Sequence, residues 1–338
     1  MKYRALGATG LQVSELGFGC GAVGGLMVRG NRQEQLRTVA RAIEGGITYF
    51  DTARIYGDGL SEANLGAVLQ ELHADVLVGT KVRLDAADMA HLEEATVASV
   101  EGSLRRLQRD CVDLIQLHNS VAAERDEGRG WVSVEDVARV GQVFEELVAQ
   151  GKARHWGMNG LGETHAVHQA LDTSGAQSIQ SCYNLLNPTA GMAAPAGFPF
   201  QDYEGLIDRA AEMGVGVIAI RILAGGALSG LLQRHPVASP AVAPIATGQD
   251  YAADVQFARR FDFLVTEGYV ESLVEAAIRF ALSNPHLSTA LVGISTYEQL
   301  EEALTYAKRG SLPQEALDRL PAVWASLQEE RPSCFGGR

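Results

Sequence analysis

Three charged or titratable side chains follow apolar runs in the sequence. Asp51 ends ITYFD, Lys81 ends VLVGTK and His118 ends DLIQLH. Parallel β-strands bring their carboxyl ends to one edge of a sheet, so neighbouring strands would bring these side chains together. Charges at such a place are costly unless they are paired. A purely structural salt bridge therefore explains the positions of Asp51 and Lys81 as well as a functional role does.

A tyrosine five residues past Asp51 adds a group that can transfer a proton. A tyrosine hydroxyl has an ordinary pKa of about 10 and is a poor acid at neutral pH. A lysine ammonium beside Tyr56 would stabilise the phenolate and lower that pKa, and Asp51 would hold Lys81 in place. His118 can donate a hydrogen bond to a carbonyl oxygen. Together these groups favour proton delivery to a substrate oxygen while a hydride reaches carbon.

Short apolar runs alternate with helix-like stretches along most of the chain. The predicted strands cover residues 16–19, 48–51, 76–80, 112–117, 154–157, 178–183, 215–220 and 289–292. The predicted helices include residues 33–44, 89–107, 136–149, 206–213 and 314–328. This alternation indicates parallel βαβ units, and eight of them in about 300 residues suit a closed (β/α)8 TIM barrel. An open doubly wound sheet is the alternative.

The remaining segments complete this outline. Residues 3–6 and 11–14 flank GATG, whose turn residues predict an N-terminal β-hairpin ahead of the barrel. No linker or composition break divides residues 1–338, so we expect one domain. Irregular stretches at 119–133 and 231–249 follow the fourth and seventh predicted strands, where barrel enzymes build their substrate sites.

The composition excludes several classes of protein. The chain has 41 acidic residues against 28 Lys plus Arg, a formal net charge of −13, which disfavours nucleic acid and anionic membrane surfaces as partners. No apolar run reaches the roughly 18 residues of a transmembrane helix. The N-terminus lacks the apolar region of a secretory signal, so we expect a cytoplasmic protein. No oligomeric state is indicated.

The cysteines and histidines show no metal-binding pattern. Cys20, Cys111, Cys182 and Cys334 are scattered and form no CxxC motif, so we expect buried free thiols, not a disulfide or zinc framework. The histidines other than His118 are not spaced as metal ligands, and no metal is expected.

A glycine motif at residues 19–24 (GCGAVG) matches the GxGxxG fingerprint of dinucleotide-binding Rossmann domains. That interpretation requires the third glycine to open a helix packed on the strand. Here GLMVRG follows, and Asn31 is a better helix N-cap seven residues on. We therefore expect a glycine-rich loop that lines the mouth of the barrel, with the Rossmann interpretation as the alternative.

The stretches around these residues resemble the aldo-keto reductases. The matching stretches are residues 7–14 (GATGLQVS), 50–66 (FDTARIYGDGLSEANLG), 79–81 (GTK), 105–118 (RRLQRDCVDLIQLH) and 180–187 (QSCYNLLN), in the family's order. The resemblance extends from residue 2 to about residue 308. It implies a (β/α)8 barrel that binds a nicotinamide cofactor without a Rossmann domain. It also implies a catalytic tetrad of Asp51, Tyr56, Lys81 and His118, with Tyr56 as the general acid in reduction.

The resemblance also assigns a nicotinamide-binding role to Asn159 and Gln180, at the ends of the fifth and sixth strands. The family more often has Ser-Asn where this chain has Asn159 and Gly160. The Asn159 amide would replace the serine hydroxyl, while Gly160 supplies no side chain. The sequence GMN at 157–159 resembles members of the family that oxidise sugars such as fucose.

Two further segments are expected to bind the cofactor. After the seventh strand the family commonly has Tyr-Ser-Pro-Leu, whereas residues 220–223 are IRIL, so Ile220 would offer the nicotinamide an apolar surface in place of an aromatic ring. Candidate contacts in the two segments are Arg221, Leu223, Gly225 and Ser229, then Gly293, Ser295, Gln299 and Glu302. No basic residue lies between residues 293 and 307, where many members bind the 2′-phosphate of NADP. This acidic stretch favours NAD over NADP, although another loop can supply the charge.

The sequence constrains the substrate-binding residues less than the cofactor-binding residues. Trp131, in the loop after the fourth strand, either walls the substrate pocket or anchors the loop, and Arg54 is a second candidate. The guanidinium of Arg221 is expected at the barrel mouth, where it pairs with a carboxylate such as Asp51 or Glu204 or else faces the cofactor or an oxygen-rich substrate.

The sequence therefore predicts an NAD(P)(H)-dependent oxidoreductase that interconverts a carbonyl, in an aldehyde or a sugar, with the alcohol or lactol. One alternative is a Schiff-base aldolase that uses Lys81. The other is a cofactor-binding subunit that senses redox state.

Overall fold

A computed structural model describes residues 1–327. Eight parallel strands close into a barrel in the order β3-β4-β5-β6-β9-β10-β11-β12, with β12 beside β3. The barrel strands are β3 (Leu16–Gly19), β4 (Tyr49–Asp51), β5 (Leu77–Val82), β6 (Val112–Leu117), β9 (Ala153–Asn159), β10 (Ser178–Cys182), β11 (Gly216–Ile220) and β12 (Thr289–Gly293). The predicted barrel is confirmed with strand ends within two residues, and the open sheet is wrong.

Two pairs of short strands stand outside the barrel. The predicted N-terminal hairpin is present as antiparallel β1 (Tyr3–Ala5) and β2 (Gln12–Ser14). In the loop after β6, β7 (Val121–Ala122) pairs in parallel with β8 (Val132–Ser133).

Helices surround the barrel. They are α1 (Leu26–Arg29), α2 (Arg32–Glu44), α3 (Leu60–Glu71), α4 (Leu92–Leu107), α5 (Val134–Ala149), α6 (Thr164–Ser174), α7 (Leu206–Glu212), α8 (Tyr251–Ala258), α9 (Phe263–Thr266), α10 (Leu273–Ser283), α11 (Tyr297–Lys308) and α12 (Gln314–Ser326). The described part of the last predicted helix thus ends at Ser326; residue 328 and Cys334 lie outside the described residues. No helix within residues 1–327 is long and apolar enough to cross a membrane.

The glycine motif at residues 19–24 forms a loop and not a Rossmann turn. A Cβ on Gly24 would lie 2.4 Å from the backbone nitrogen of Ile294, so only glycine lets this loop pack against the end of β12. The next long helix, α2, begins after Asn31, whose side chain accepts a hydrogen bond from the backbone N–H of Glu34.

The hairpin covers the amino-terminal end of the barrel. Leu6 and Val13 pack with inward-facing barrel residues in an apolar cluster that also contains Tyr49, Leu114, Ile218 and Leu291. The backbone N–H of Ala8 donates to Gly214 O at 2.7 Å, and a Cβ on Gly7 would lie 2.3 Å from the nitrogen of Gly216. This end is therefore packed, and the polar side chains described next lie at the opposite, carboxyl end.

Candidate functional site

A cavity of about 890 Å³ opens at the carboxyl ends of the strands. The sequence-predicted residues that line it are Asp51, Tyr56, His118, Asn159, Gln180, Arg221, Leu223, Gly225, Ser229, Gly293, Ser295, Gln299 and Glu302. The structure therefore brings these predicted residues to one cavity. Lys81 lies behind its wall, in contact with two of the lining residues.

Asp51 and Lys81 form a buried ion pair between neighbouring strands. The Lys81 Nζ donates to Asp51 Oδ1 and, at 2.7 Å, to the backbone oxygen of Thr52. Burial raises the pKa of the Asp51 carboxyl, against the opposing charge of Lys81. Burial acts to lower the pKa of the Lys81 ammonium, but the charge of Asp51 raises it above its usual value. Lys81 therefore stays protonated.

Two further donors hold the Asp51 carboxylate. Its Oδ2 accepts from the Tyr49 hydroxyl at 3.2 Å and from Gln180 Nε2 at 2.8 Å. A Cβ on Gly79 would lie 2.1 Å from the Tyr49 hydroxyl oxygen, so the glycine in the neighbouring strand makes room for this bond. Three polar groups thus satisfy a carboxylate that is 3% exposed.

Tyr56 lies in the loop between β4 and α3, and its hydroxyl is 3.4 Å from Lys81 Nζ. The ammonium also lies 5.0 Å from the centre of the Tyr56 ring. Burial raises the pKa of the phenol, while the charge of Lys81 acts to lower it. Lys81 thus acts in the predicted direction, but burial outweighs it, so Tyr56 holds its proton at neutral pH.

His118 follows β6 and faces Tyr56 edge to face, with ring centres 5.8 Å apart and an interplanar angle of 87°. Burial, with the charges of Lys81 and Arg83, holds the pKa of the imidazole well below its usual value. The ring is therefore neutral at physiological pH and carries one N–H donor. Within residues 1–327 its Nδ1 has no hydrogen-bond partner.

Asn159 and Gln180 are paired across β9 and β10. The Asn159 Nδ2 donates to the backbone oxygen of His118 at 3.1 Å, and its buried Oδ1 has no partner among the described residues. A Cβ on Gly160 would lie 2.7 Å from Gln180 O, so no side chain fits there. The Asn159 amide is therefore the group at this strand end that can accept a further hydrogen bond.

The turn after β11 brings two arginines to the cavity wall. The turn residues Gly225 and Gly226 have φ angles of 69° and 109°, in the left-handed region that favours glycine. A Cβ on Gly225 would lie 3.0 Å from Arg221 Nη1, and one on Gly226 would lie 3.0 Å from Arg234 Nη1. The glycines thus leave room for both guanidinium groups.

Arg234 is a lining residue that the sequence analysis missed. It donates to three backbone oxygens, those of Ser239 at 2.6 Å, Gly225 at 2.6 Å and Val23 at 3.1 Å. We call residues 231–250 the strap, because Arg234 and the Ser239 N–H, which donates to Val23 O at 3.2 Å, tie them to the loop after β3. The predicted irregular stretch at 231–249 was the available signal, although nothing in it singled out Arg234.

The far end of the cavity, near the start of α11, is acidic. Ser295, Gln299 and Glu302 line it, and Gln299 Oε1 accepts from the Ser295 N–H at 2.9 Å. Two arginines of α2 approach α11 from outside the cavity: Arg41 pairs with Glu301, and Arg37 lies 3.6 Å from the centre of the Tyr297 ring.

Trp131 and Arg54 do not line the cavity. Trp131 exchanges two backbone hydrogen bonds with Asp126, and the guanidinium of Arg129 lies 5.2 Å from the centre of its ring. This geometry fits the anchoring of the loop after β6. Arg54 is exposed to solvent.

The arrangement supplies a protonated phenol, a neutral imidazole and a buried cation beside one cavity. A carbonyl oxygen placed between Tyr56 and His118 would receive a hydrogen bond from each. The Lys81 charge would stabilise the phenolate that proton transfer from Tyr56 would leave. Within residues 1–327 no group of three or more His, Cys, Asp and Glu side chains is placed to hold a metal ion.

Comparison with known proteins gives concordant matches over nearly the whole chain. The model of the aldo/keto reductase family matches residues 15–325. The chain is 27% identical to L-galactose dehydrogenase of Arabidopsis thaliana, covering 96% of this chain and 94% of that protein. It is 27% identical to aldo-keto reductase YhdN of Bacillus subtilis, covering 89% and 87%. The structure resembles the holo form of aldo-keto reductase AKR11C1 of Bacillus halodurans, with a TM-score of 0.68, 26% identity and 96% coverage of each chain.

Proposed function

The chain belongs to the aldo/keto reductase family, and from this premise we propose that Tyr56 exchanges the proton in a hydride transfer between a nicotinamide cofactor and an aldehyde or a sugar. Membership makes the protein an NAD(P)-dependent oxidoreductase. The observation that carries the proposal is the 3.4 Å distance from the Tyr56 hydroxyl to Lys81 Nζ at the wall of the cavity.

The cavity suits a nicotinamide dinucleotide. The unpartnered Oδ1 of Asn159 is a buried acceptor that fits the carboxamide N–H of the nicotinamide ring. Gln180 would lie beside the same group, and Gly225 and Ser229 would hold the pyrophosphate. When bound, the cofactor supplies or accepts the hydride.

The proton follows a short path. In reduction, the carbonyl carbon gains the hydride and its oxygen gains the Tyr56 proton, so the aldehyde becomes an alcohol. Lys81 stabilises the phenolate left on Tyr56, and Asp51 fixes Lys81 in place. In oxidation, the phenolate takes the proton back from the hydroxyl of the alcohol or lactol.

His118 orients the substrate in this proposal. Because its imidazole is neutral, its N–H can donate to the carbonyl oxygen without competing with Tyr56 as the acid. The apolar side chain of Ile220 lines the same cavity at the position where the family commonly has an aromatic ring.

Three observations favour a sugar among the substrates and NAD as the cofactor. The relative named L-galactose dehydrogenase and the GMN sequence at 157–159 support a sugar lactol among the substrates. Glu302 is the charged side chain that lines the cavity near the start of α11, and it disfavours the 2′-phosphate of NADP.

The test is a turnover assay with a panel of aldoses and aliphatic aldehydes, each run with NAD and NADP in the matching redox states. Turnover of at least one member that the Tyr56→Phe variant loses would support the proposal. Full turnover by that variant would refute the role of Tyr56.

The Schiff-base aldolase is not favoured. Lys81 is 1% exposed, donates to three oxygens and keeps its proton, whereas a Schiff-base lysine must present a neutral amine to the substrate. Borohydride trapping of substrate on Lys81 would reverse this conclusion. Family membership does not favour a redox-sensing subunit either, and the turnover assay separates it from an enzyme.

A further inference from the structure

Arg221 is a cationic side chain in the wall of the cavity that also exposes Tyr56 and His118. It directly follows β11, and its charge is near enough to act on the Tyr56 phenol. Arg234 is the other positively charged lining residue. Its guanidinium donates to the backbone oxygens of Ser239, Gly225 and Val23.

The backbone holds Arg221 in an unfavourable conformation. Its φ of 57° lies in the left-handed region, which costs a residue with a side chain free energy that surrounding contacts must supply. Its carbonyl oxygen accepts from Asn184 Nδ2 at 3.0 Å and from the Ala224 N–H at 2.7 Å. These two bonds fix the backbone from which the guanidinium projects.

The guanidinium has few partners for a half-buried cation. Its Nη1 donates to Ala243 O at 3.1 Å, and no carboxylate of residues 1–327 lies within 4.0 Å, so the predicted pairing with Asp51 or Glu204 does not form. Asp51 is engaged by Lys81. Asp254, another acid whose charge acts on Arg221, accepts from the Thr247 hydroxyl and the Gly248 N–H.

We propose that Arg221 binds a carboxylate on the substrate, so that this reductase prefers aldehydes or aldoses that also carry an acidic group. The inference rests on the proposed function, because Tyr56 and His118 hold the carbonyl end. A planar guanidinium whose remaining N–H groups are available suits a carboxylate, which it can bind through two parallel hydrogen bonds. The carboxylate takes no part in the chemistry: the carbonyl carbon gains the hydride and its oxygen the proton.

A phosphate of the cofactor offers the same oxyanion chemistry, and Arg221 lies beside Gly225. Arg234 lies beside Gly226, in the same turn. Unlike Arg234, Arg221 also lies near enough to Tyr56 for its charge to act on the phenol. This difference favours the substrate as the source of the anion, and the two sources predict different kinetics.

The experiment uses substrate pairs that differ in a carboxylate: succinic semialdehyde with butanal, and D-galacturonate with D-galactose. Arg221→Met should lower kcat/KM for the acidic member by roughly 10-fold or more, the range for a lost charge-assisted hydrogen bond, and change the neutral member less than about threefold. Arg221→Lys should recover part of the loss. Arg139→Met, which removes an exposed arginine on α5, should leave the ratio unchanged.

Three results would overturn the proposal. Equal losses for both members, with weaker cofactor binding in fluorescence titrations, would assign Arg221 to a cofactor phosphate. A lower melting temperature with unchanged kinetic constants would assign it to structure. Equal kcat/KM for acidic and neutral members in the wild type would show that the enzyme does not recognise the substrate carboxylate.

A binding measurement separates this proposal from the proposed function. The wild type with reduced cofactor is titrated with 4-hydroxybutanoate or 1-butanol, a combination in which no hydride transfer occurs. Tighter binding of the acid, lost in Arg221→Met and kept in Tyr56→Phe, would support the carboxylate site even if no substrate of the panel turned over. Equal binding of acid and alcohol would refute it even if the enzyme were active.

Discussion

The Nε2 of Gln180 lies 2.8 Å from Oδ2 of Asp51, so the amide expected to contact the cofactor also bonds the carboxylate that holds Lys81. The Asp51 carboxylate thereby connects the proposed nicotinamide end of the cavity with the proposed proton donor Tyr56 through Lys81. Substitutions of Gln180, Asp51 or Lys81 should therefore affect proton transfer and cofactor binding together. Tyr56 is the exception, because it lies at the end of this series of hydrogen bonds.

Removing the Tyr56 hydroxyl should separate catalysis from binding. Tyr56→Phe should lower turnover by roughly 10²-fold or more, the range for a positioned acid, because the neutral imidazole of His118, the other donor to the carbonyl oxygen, is a much weaker acid than the phenol. Its melting temperature and cofactor affinity should match the wild type. Tyr3→Phe, at the exposed hairpin, is the control and should keep full activity. Near-normal turnover in Tyr56→Phe would contradict the mechanism.

The buried pair should show strong coupling in stability. Lys81→Met leaves the Asp51 charge buried without its cation and should cost about 3–5 kcal/mol in the free energy of unfolding. The double variant Asp51→Asn with Lys81→Met should lose less than the single variant, because it removes both charges. Urea unfolding of the wild type, two single variants and the double variant measures the coupling. Additive losses would show that the pair does not interact as described.

The pH profile should lack a histidine limb. The pKa of His118 lies well below its usual value of about 6.5, and the pKa of Tyr56 lies above about 10, so both groups keep one form between pH 6 and 9. The kcat/KM for reduction, which needs protonated Tyr56, should be flat over that range. Oxidation needs the phenolate and should become faster as the pH rises. A limb near pH 6.5 that His118→Asn abolishes would contradict this assignment.

The acidic end of the cavity should favour NADH over NADPH. A carboxylate near the 2′-phosphate costs about 1 kcal/mol, so tryptophan fluorescence should give at least about fivefold tighter binding of NADH. Glu302→Lys should reduce or reverse this preference. Glu298→Lys changes the same charge on α11 outside the cavity lining and is the control. Tighter NADPH binding by the wild type would show that basic groups elsewhere hold the phosphate.

Local patterns predicted the barrel because short apolar runs that alternate with helix-like stretches mark the strands. The barrel fold then fixes the position of each polar residue at a strand end. Asp51 and His118 were placed in this way. Arg234 was not, because its acceptors include Val23, 211 positions earlier in the chain. The net pKa shift of Tyr56 also escaped prediction: the charge of Lys81 is a local effect, whereas burial depends on the whole cavity.

The hairpin has a consequence for the order of binding. Because β1 and β2 pack across the amino-terminal end of the barrel, we expect cofactor and substrate to share the opening at the other end. Asn159 and Gln180 lie deep in it, at 5% and 3% exposure. A nicotinamide ring bound there would be covered by the substrate. The cofactor would therefore have to enter before the substrate and leave after the product. We therefore expect sequential ordered kinetics, in which oxidised cofactor inhibits competitively against reduced cofactor and the product alcohol does not.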